Sequence, residues 1–208
     1  MGFPVDLRLD GRRVVVVGAG PIATRKIGQL LERNADIVVV APGATDTVTS
    51  LAASGTITWH RRHALESDFE AAWLIVTATG DPEIDAWVFA YGEANQIWVN
   101  SADDPANCSV TLLSILRRGD LVVAVGSSGR APAVATWVRT QIGARIDPAY
   151  GLLVDLVAEI RAHIHERGLS TEGFDWQDVL ATDVVDQLRC GDRAAARRKL
   201  LERLGMAE

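Results

Sequence analysis

Cysteine is scarce in this chain of 208 residues: Cys108 and Cys190 are its two examples, far apart in the sequence. Their number and spacing match no disulfide framework, zinc site or redox pair, which favours a reducing compartment. The first residues lack the basic and apolar regions of a signal peptide. No apolar run approaches the ~18 residues that a membrane span needs. We therefore expect a cytoplasmic protein that makes no membrane contact.

Acidic residues outnumber basic ones. The chain has 21 Lys and Arg and 27 Asp and Glu, which gives a formal net charge of -6. A nucleic-acid-binding surface has to neutralise phosphates, so this balance argues against nucleic acid as the main partner. It leaves room for a local basic pocket. The length and a hydrophobic share of 48% suit a globular protein with one large domain or two small ones.

Histidine is also rare, and the four histidines form no recognisable metal set. His60 and His63 follow a weak candidate strand. His163 and His165 are two residues apart on a predicted helix, where side chains do not share a face. Neither pair has cysteines or carboxylates at the spacing of metal ligands. We expect no resident metal site.

What the sequence does contain, in its first half, is an alternation of buried β-branched runs with helix-like segments. Short connections between such segments predict a doubly wound parallel sheet of the Rossmann type. The predicted strands are 13–17, 37–41, 56–60, 73–77 and 97–100, and the predicted helices are 22–33 and 82–94.

The pattern changes after Pro105. Two apolar runs, 110–116 and 121–125, are separated by Arg-Arg-Gly-Asp and predict an antiparallel hairpin. Proline then opens a predicted helix over 132–142. The remainder is typical of helices, with one ending near Gly168 and shorter ones following. The shorter helices are predicted at 176–180 and 193–204. The fold class is therefore α/β, followed by a small α+β segment and a helical domain, with boundaries near residues 110 and 147.

Residues 18–23, Gly-Ala-Gly-Pro-Ile-Ala, fit the dinucleotide-binding pattern G-x-G-x-x-A between a buried strand and an amphipathic helix. In that pattern Gly18 permits the tight turn, Gly20 lets the backbone approach a pyrophosphate, and Ala23 allows close packing of helix on strand. The start of the helix offers free amides and a favourable dipole to phosphate oxygens. A glycine turn that binds no ligand is the alternative.

One element of the dinucleotide pattern is missing. An acidic residue at the end of the second strand normally binds the adenosine ribose, but this chain has Val40-Ala41-Pro42-Gly43 there. Asp36 stands at the beginning of the strand, on the wrong side. We expect backbone groups to hold the ribose, and the position does not decide between NAD and NADP.

Two acidic residues, Asp103 and Asp104, follow the strand that ends at Asn100. A carboxylate at this edge of the sheet can act as a general base or as a metal ligand, and adjacent residues point in different directions, so one of them is expected to face the site. The alternative is a cap, because Asp before Pro commonly initiates a turn.

Basic residues stand near both predicted loops. Arg25 and Lys26 lie one turn into the first helix, where they can reach acidic groups or simply face solvent. Residues 127–130, Ser-Ser-Gly-Arg, can cradle an anion with backbone amides and Arg130, or can merely join the hairpin to the next helix.

A family resemblance rests on five segments that occur in order along residues 4–145. They are Leu7-Arg8-Leu9-Asp10-Gly11, Val16-Val17-Gly18-Ala19-Gly20-Pro21-Ile22-Ala23 with Arg25-Lys26, Ala78-Thr79-Gly80-Asp81, Val99-Asn100-Ser101-Ala102-Asp103, and Val123-Ala124-Val125-Gly126-Ser127-Ser128-Gly129-Arg130-Ala131-Pro132. Together they resemble the siroheme synthase N-terminal module, the precorrin-2 dehydrogenase/sirohydrochlorin ferrochelatase family.

The resemblance implies NAD-dependent oxidation of precorrin-2 to sirohydrochlorin, followed in some members by insertion of Fe(II) to give siroheme. It implies an NAD-binding Rossmann domain over 1–110, a dimerisation segment over 111–147 and a helical domain over 148–208. The expected partners are the tetrapyrrole, transient Fe(II) and a second copy of the chain in a homodimer.

The resemblance also assigns site residues. Asp103 falls on the family's essential aspartate, to which proton removal, metal insertion or both are attributed, while Asp104 departs from the family pattern. The expected cofactor-binding residues are Gly18, Gly20, Pro21, Ile22, Ala23, Pro42, Gly43 and Thr79. The residues expected to bind the many carboxylates of the macrocycle are Arg25, Lys26, Asn100, Ser128 and Arg130.

Two other functions stay open on the sequence. The first is a dehydrogenase without chelatase activity. The second is a non-catalytic Rossmann module that senses NAD or NADH. A sensor needs the glycine loop, but it has no need for Asp103 combined with the turn over 127–132.

Overall fold

The computed structural model describes residues 2–102 and 104–206. The chain divides into two compact units, Met1–Leu112 and Leu113–Glu208. The further division at residue 147, with a dimerisation segment before it, stays a prediction.

The first unit is built on a parallel sheet of five strands in the order β3-β2-β1-β4-β5. The strands are β1 (Arg13–Val17), β2 (Asp36–Val40), β3 (Thr58–His60), β4 (Leu74–Thr77) and β5 (Trp98–Ser101), and the helices are α1 (Pro21–Leu31), α2 (Asp46–Ala53) and α3 (Pro82–Asn95). The chain runs outward from β1 to β3 and then returns to β4 on the other side of β1. The strand order therefore reverses between β1 and β4, where open α/β sheets bind their ligands. The predicted doubly wound Rossmann-like sheet is confirmed.

Both faces of the sheet are covered, which explains the unbroken run of valines in β1. Val14 and Val16 point into a core cluster with Ala23 and Ile27 of α1. Val15 and Val17 point into a second cluster on the opposite face, which contains Phe69 and residues of α3. Because successive side chains of a strand alternate between faces, a central strand with two covered faces has to be apolar throughout.

Three details of the first unit differ from the sequence prediction. Helix α1 begins at Pro21 and ends at Leu31, and Ile22, which was placed on its apolar face, is 42% exposed. The buried stripe of α1 consists of Ala23, Ile27 and Leu30, and Ile22 lies about 100° of helix rotation away from Ala23. Strand β3 has three residues rather than five. Helix α2 was not predicted, because it is short and rich in Thr and Ser, and Val48 is its one fully buried residue.

The second unit begins with an antiparallel hairpin of β6 (Ser114–Arg118) and β7 (Leu121–Val125), paired from Ser114↔Val125 to Arg118↔Leu121. The hairpin is confirmed, although its first strand starts at Ser114 rather than at residue 110. The helices that follow in the described part of this unit are α4 (Pro132–Gly143), α5 (Ala149–Glu166), α6 (Trp176–Val179), α7 (Thr182–Arg189) and α8 (Arg193–Arg203). Helix α7 was not predicted as a separate element.

Helices α5, α7 and α8 enclose the core of the second unit. Each presents buried aliphatic residues at helical spacing, and the buried set includes Leu156, Ile160, Ile164, Val184, Leu188, Leu200 and Leu201. Asp183 of α7 pairs with Arg203 and Lys199 of α8, and the hydrogen bonds from Arg203 lower the pKa of Asp183 to about 2.

Gly151 of α5 gives a test of how the hairpin is held. A Cβ at this position would lie 2.4 Å from the backbone oxygen of Arg118, at the hairpin turn. Because a backbone cannot yield as a flexible side chain can, we expect Gly151→Ala to lower the free energy of unfolding by about 1–3 kcal/mol. Urea unfolding followed by circular dichroism measures the change.

Gly28→Ala is the matched control, since it makes the same substitution in α1 with nothing within 4 Å of the added Cβ. It is expected to raise the stability by up to about 1 kcal/mol, as Ala does when it replaces Gly in a helix. Equal effects of the two substitutions would contradict the packing argument.

Candidate functional site

The glycine loop brings the ends of β1 and β4 together at the point where the strand order reverses. Gly18 has a φ of +101°, and a Cβ there would lie 2.4 Å from the backbone oxygen of Ala78, just past β4. Gly18 is therefore required by its backbone conformation and also by a close approach between two loops. The amide of Ala78 donates to the oxygen of Val17 and continues the sheet to this edge.

Gly20 stands at the N-cap of α1 with extended backbone, φ -76° and ψ -172°. Among the residues that the structure describes, no side chain caps this helix and nothing lies within 4 Å of where a Cβ of Gly20 would be. The first turn of the helix contains no acidic residue. The amides and the positive dipole end of α1 therefore face open space that a larger residue would fill. This space fits the pyrophosphate of a dinucleotide.

The other predicted cofactor residues surround the same edge of the sheet. Ala23 is fully buried and packs α1 onto the strands, while Pro21 is exposed. Pro42 and Gly43 are exposed directly after β2. Thr79 follows β4, and its hydroxyl is already engaged, because it donates to Asp85 Oδ1 and accepts from the Asp81 amide, both at 3.0 Å. If Thr79 contacts a nucleotide, we therefore expect the contact to come from its backbone.

The end of β2 has the character that the sequence predicted. Asp36 is exposed at the first residue of β2, at the opposite edge of the sheet from the glycine loop. The backbone oxygen of Ala41, one residue past β2, accepts a hydrogen bond of 3.0 Å from the indole of Trp59. No carboxylate of β2 itself is therefore available to a ribose at this end.

Two of the predicted substrate residues meet although they are 74 positions apart. Lys26 Nζ donates to Asn100 Oδ1 at 2.7 Å, and the Asn100 amide nitrogen donates to the backbone oxygen of Val110 at 2.9 Å. Asn100 is buried at the end of β5, so it holds the ammonium of Lys26 at the carboxyl edge of the sheet. Arg25 is exposed on α1.

The segment after β5 contains the predicted catalytic residue Asp103, which lies outside the described residues. Its neighbour Asp104 acts as a cap: its carboxylate accepts from the Ala106 amide at 3.2 Å and from Asn107 Nδ2 at 2.7 Å. The sequence left open whether a residue of this pair caps a turn, and Asp104 has that role.

The side chain of Cys108 forms hydrogen bonds at both ends of the segment after β5, a role that the sequence analysis did not predict. Its sulfur accepts from the Ser101 amide at 3.1 Å, and its thiol is within 3.3 Å of the backbone oxygens of Ser101 and Asp104. Burial raises the pKa of the Cys108 thiol. The neighbouring ends of β4 and β5 are joined by a buried hydrogen bond between the hydroxyls of Thr77 and Ser101. The contact between Cys108 and Ser101 could not be predicted, because no sequence motif links a thiol to a backbone group seven residues away.

Ser128 and Arg130 belong to the second unit, in the turn between β7 and α4. Ser128 has a φ of +53°, and the hydroxyl of Ser127 accepts from the Ala131 amide at 3.1 Å, which caps the turn. Arg130 is exposed. Their assignment to the substrate stays a prediction.

A buried carboxylate organises the loop after β3, and no sequence pattern predicts it. The Asp68 side chain is 2% exposed. It accepts two hydrogen bonds from Arg62, at 2.6 and 2.7 Å, one of 2.8 Å from the Leu65 amide, and one of 3.0 Å from His60 Nδ1. The Arg62 guanidinium is the main reason that the pKa of Asp68 lies well below its usual range, although burial opposes the shift.

Among residues 2–102 and 104–206, no three His, Cys, Asp or Glu side chains stand close enough together to hold a metal ion. Within the same residues, no helix has the length and apolar character needed to cross a membrane.

Comparison with known proteins agrees with this geometry. A family model described as putative NAD(P)-binding matches residues 5–114. The siroheme synthase of Pseudoalteromonas atlantica is 31% identical over 208 residues, which cover 99% of this chain and 45% of that protein. The siroheme synthase of Pseudomonas entomophila is 36% identical over 95% of this chain and 43% of its own length. A solved structure titled SirC, precorrin-2 dehydrogenase, superposes with a TM-score of 0.72 at 27% identity and covers 98% of this chain and 99% of that one.

The fold and the glycine loop thus define an NAD(P)-binding protein of the Rossmann class. More narrowly, the chain belongs to the family of the siroheme synthase N-terminal module, as the resemblance predicted. It spans less than half the length of the curated siroheme synthases that it matches.

Gly20→Asp separates cofactor binding from folding. Asp is a strong N-cap residue, so its side chain should satisfy amides of α1 and raise the stability by a few tenths of a kcal/mol. The same carboxylate occupies and repels the pyrophosphate position, and NAD affinity should fall by roughly tenfold or more, at least about 1.4 kcal/mol. Calorimetric titration and thermal unfolding measure the two effects.

Gly28→Asp is the control, because it adds the same charge to α1 at an open position away from the helix start. It should leave NAD affinity unchanged. Wild-type NAD affinity in Gly20→Asp would refute the pyrophosphate assignment.

Asp68→Asn tests the buried carboxylate through its pH dependence. The folded pKa of Asp68 is below its unfolded value of 3.8. Its stabilisation is therefore complete above that value and is lost as the pH falls through the folded pKa. At about pH 7 the substitution should cost roughly 1–3 kcal/mol, and the difference from wild type should shrink as the pH drops below about 4.

Urea unfolding at several pH values provides the measurement. Asp36→Asn is the control, since it removes the same charge from an exposed position and should produce little change at any pH. A cost for Asp68→Asn that does not vary with pH would show that charge is not what stabilises the loop.

Proposed function

We propose that this chain oxidises precorrin-2 to sirohydrochlorin with NAD, and that Fe(II) insertion into sirohydrochlorin follows at the same site. The observation that carries the dehydrogenase proposal is the match to SirC, precorrin-2 dehydrogenase, over 98% of one chain and 99% of the other. The uncapped α1 and the space beside Gly20 support the cofactor part of the proposal.

The chain's own groups would hold the cofactor at the carboxyl edge of the sheet. The backbone amides of Gly20, Ile22 and Ala23 would donate to the pyrophosphate, Pro21, which has no N–H, would line it, and Pro42 and Gly43 would line the ribose. Bound NAD supplies the acceptor for a hydride. The protein's part is to fix where that acceptor stands relative to the macrocycle.

Precorrin-2 carries many carboxylates, and an acidic protein needs fixed local cations to bind it. Lys26 fits this role because Asn100 holds its ammonium in one place, at 2.7 Å, before any substrate arrives. Preorganised charge of this kind costs less on binding than a mobile side chain does. Arg25, Ser128 and Arg130 are proposed to complete the substrate-binding set.

Asp103 is proposed as the catalytic group. The oxidation removes one hydride and one proton from the macrocycle, and a carboxylate can accept that proton. In iron insertion the same carboxylate can accept pyrrole protons or bind Fe(II) transiently. Asp104 is engaged as a cap, and the assignment of Asp103 to the chemistry rests on its match to the family's essential aspartate.

A homodimer is the assembly proposed for this chain. Helix α4 of the second unit leaves Val134 and Trp137 exposed by 55% and 63%. Large apolar side chains exposed together on one helix are typical of protein interfaces, and this supports the proposal.

Asp103→Ala tests the mechanism. Purified protein is incubated anaerobically with enzymatically generated precorrin-2 and NAD, and the visible spectrum is followed before and after Fe(II) is added. We expect NAD-dependent conversion to sirohydrochlorin in the wild type and then an iron-dependent change above the rate without enzyme. Asp103→Ala should abolish the iron-dependent step while leaving the thermal unfolding midpoint nearly unchanged.

Asp104→Asn is the matched control, because it removes the neighbouring charge but keeps a side-chain oxygen for the cap. It should retain activity. Chelatase turnover in Asp103→Ala would remove Asp103 from the mechanism. Oxidation without any iron-dependent step would leave a dehydrogenase alone, and NAD binding without any change of the macrocycle spectrum would favour the sensor.

A further inference from the structure

Strand β5 stands at the edge of the parallel sheet. In the described part of the chain the sheet order ends at β5, which therefore has one side without a neighbouring strand. The amide of Ala102 donates towards β4, to the oxygen of Thr77, whereas the backbone groups of Val99 and Ser101 bond on the open side. Groups on the open side of an edge strand need partners from outside the sheet.

Three residues, Cys108, Ser109 and Val110, supply those partners, and we call them the edge strap. The backbone amides of Ser109 and Val110 donate to the Val99 oxygen at 2.9 and 3.1 Å. The Val99 amide donates to Ser109 Oγ at 2.8 Å, and the Ser101 amide donates to Cys108 Sγ at 3.1 Å. Two side chains of the edge strap thus accept the hydrogen bonds that backbone oxygens of a further strand would accept.

The Cys108 thiol also reaches the other end of the segment after β5. Its sulfur is 3.3 Å from the backbone oxygens of Ser101 and Asp104. Burial raises the pKa of the thiol, so it keeps its proton at neutral pH and can donate to one of these oxygens. Cys108 therefore joins two residues that flank Asp103 in the sequence.

The edge strap fixes the side chain of Asn100 as well. Asn100 Nδ2 donates to the Val110 oxygen at 2.9 Å and lies 3.8 Å from Cys108 Sγ, and Asn100 Oδ1 accepts from Lys26 Nζ at 2.7 Å. Asn100 is buried. Because both ends of its amide are engaged, the place of the Lys26 ammonium depends on where the edge strap holds Asn100.

We infer that Cys108 and Ser109 are positioning residues for the proposed reaction. By fixing the end of β5 they hold the segment that contains Asp103, and through Asn100 they hold Lys26. The inference rests on the proposed function, which assigns Asp103 to proton transfer and Lys26 to the macrocycle. Neither Cys108 nor Ser109 has to touch the substrate, because small displacements of reacting groups already cost large factors in rate. The alternative is a strap that only stabilises the edge of the sheet.

Cys108→Ala and Ser109→Ala test the inference, since each removes one side-chain partner and keeps the backbone of the edge strap. Oxidation of precorrin-2 by NAD and Fe(II) insertion into sirohydrochlorin are measured anaerobically, each per folded molecule as given by circular dichroism. We expect kcat/KM to fall by about tenfold or more in each step that the wild type performs. The dissociation constant for NAD should stay within about twofold, because the amides that take the pyrophosphate belong to α1.

Conservative variants separate positioning from mere packing. Cys108→Ser and Ser109→Thr keep a hydroxyl that accepts from the same amide, and they should restore kcat/KM to within about threefold of the wild type. Amide hydrogen exchange followed by NMR reports the contacts directly. Exchange at Ser101 should become about fivefold faster or more in Cys108→Ala, and exchange at Val99 should do so in Ser109→Ala.

Cys190→Ala and Ser54→Ala are the matched controls. Cys190 is an exposed cysteine, and the exposed Ser54 hydroxyl donates to the Leu51 oxygen at the end of α2. These variants make the same two substitutions away from β5 and should leave the rates, the NAD affinity and the exchange of both amides unchanged.

The outcomes separate the inference from the proposed function. Wild-type kcat/KM in Cys108→Ala and Ser109→Ala would overturn the inference and leave the proposed function intact, and so would a loss that Cys108→Ser and Ser109→Thr do not restore. An equal loss of NAD affinity, or unchanged exchange at both amides, would also overturn it, since the edge strap would then not act on the end of β5 in particular. A wild type that performs neither step would overturn the proposed function and the inference with it.

Discussion

The contact between Gly18 and Ala78 is the constraint on which the rest of the first unit depends. A hydrogen is all that fits at Gly18, because a Cβ would stand 2.4 Å from the Ala78 oxygen. This close approach lets the loops after β1 and β4 leave the sheet side by side, at the point where the strand order reverses. The start of α1 lies at that point, and so the glycine loop, Thr79 and the end of β5 share one edge of the sheet.

The sequence was sufficient for the sheet because valine-rich strands with two covered faces leave a clear pattern, as β1 and β2 do. It was insufficient for α2, because Asp, Thr and Ser take four of its eight positions and leave no extended apolar face to recognise. It misplaced Ile22 because the buried stripe of α1, which consists of Ala23, Ile27 and Leu30, is narrower than the apolar face that the sequence shows. Local pattern identifies layers, but it does not show how wide the buried stripe of a helix is.

The site was predictable where a motif fixes backbone geometry and unpredictable where side chains meet across the chain. Gly18 and Gly20 stand where the fingerprint put them. The contact of Lys26 with Asn100 joins α1 to β5, and the contact of Cys108 with Ser101 closes a loop. Such pairs depend on how the elements pack, which no spacing rule encodes, although the resemblance had named Lys26 and Asn100 separately.

Counting charge alone cannot distinguish Lys26 from Arg62, two basic residues of the first unit, whereas their neighbours do. Lys26 donates to a neutral amide oxygen of Asn100, which fixes its ammonium at the carboxyl edge of the sheet. Arg62 donates to the buried carboxylate of Asp68, so its charge serves the fold. What a cation contributes in an acidic protein therefore depends on which partner immobilises it, and not on how many cations the chain contains.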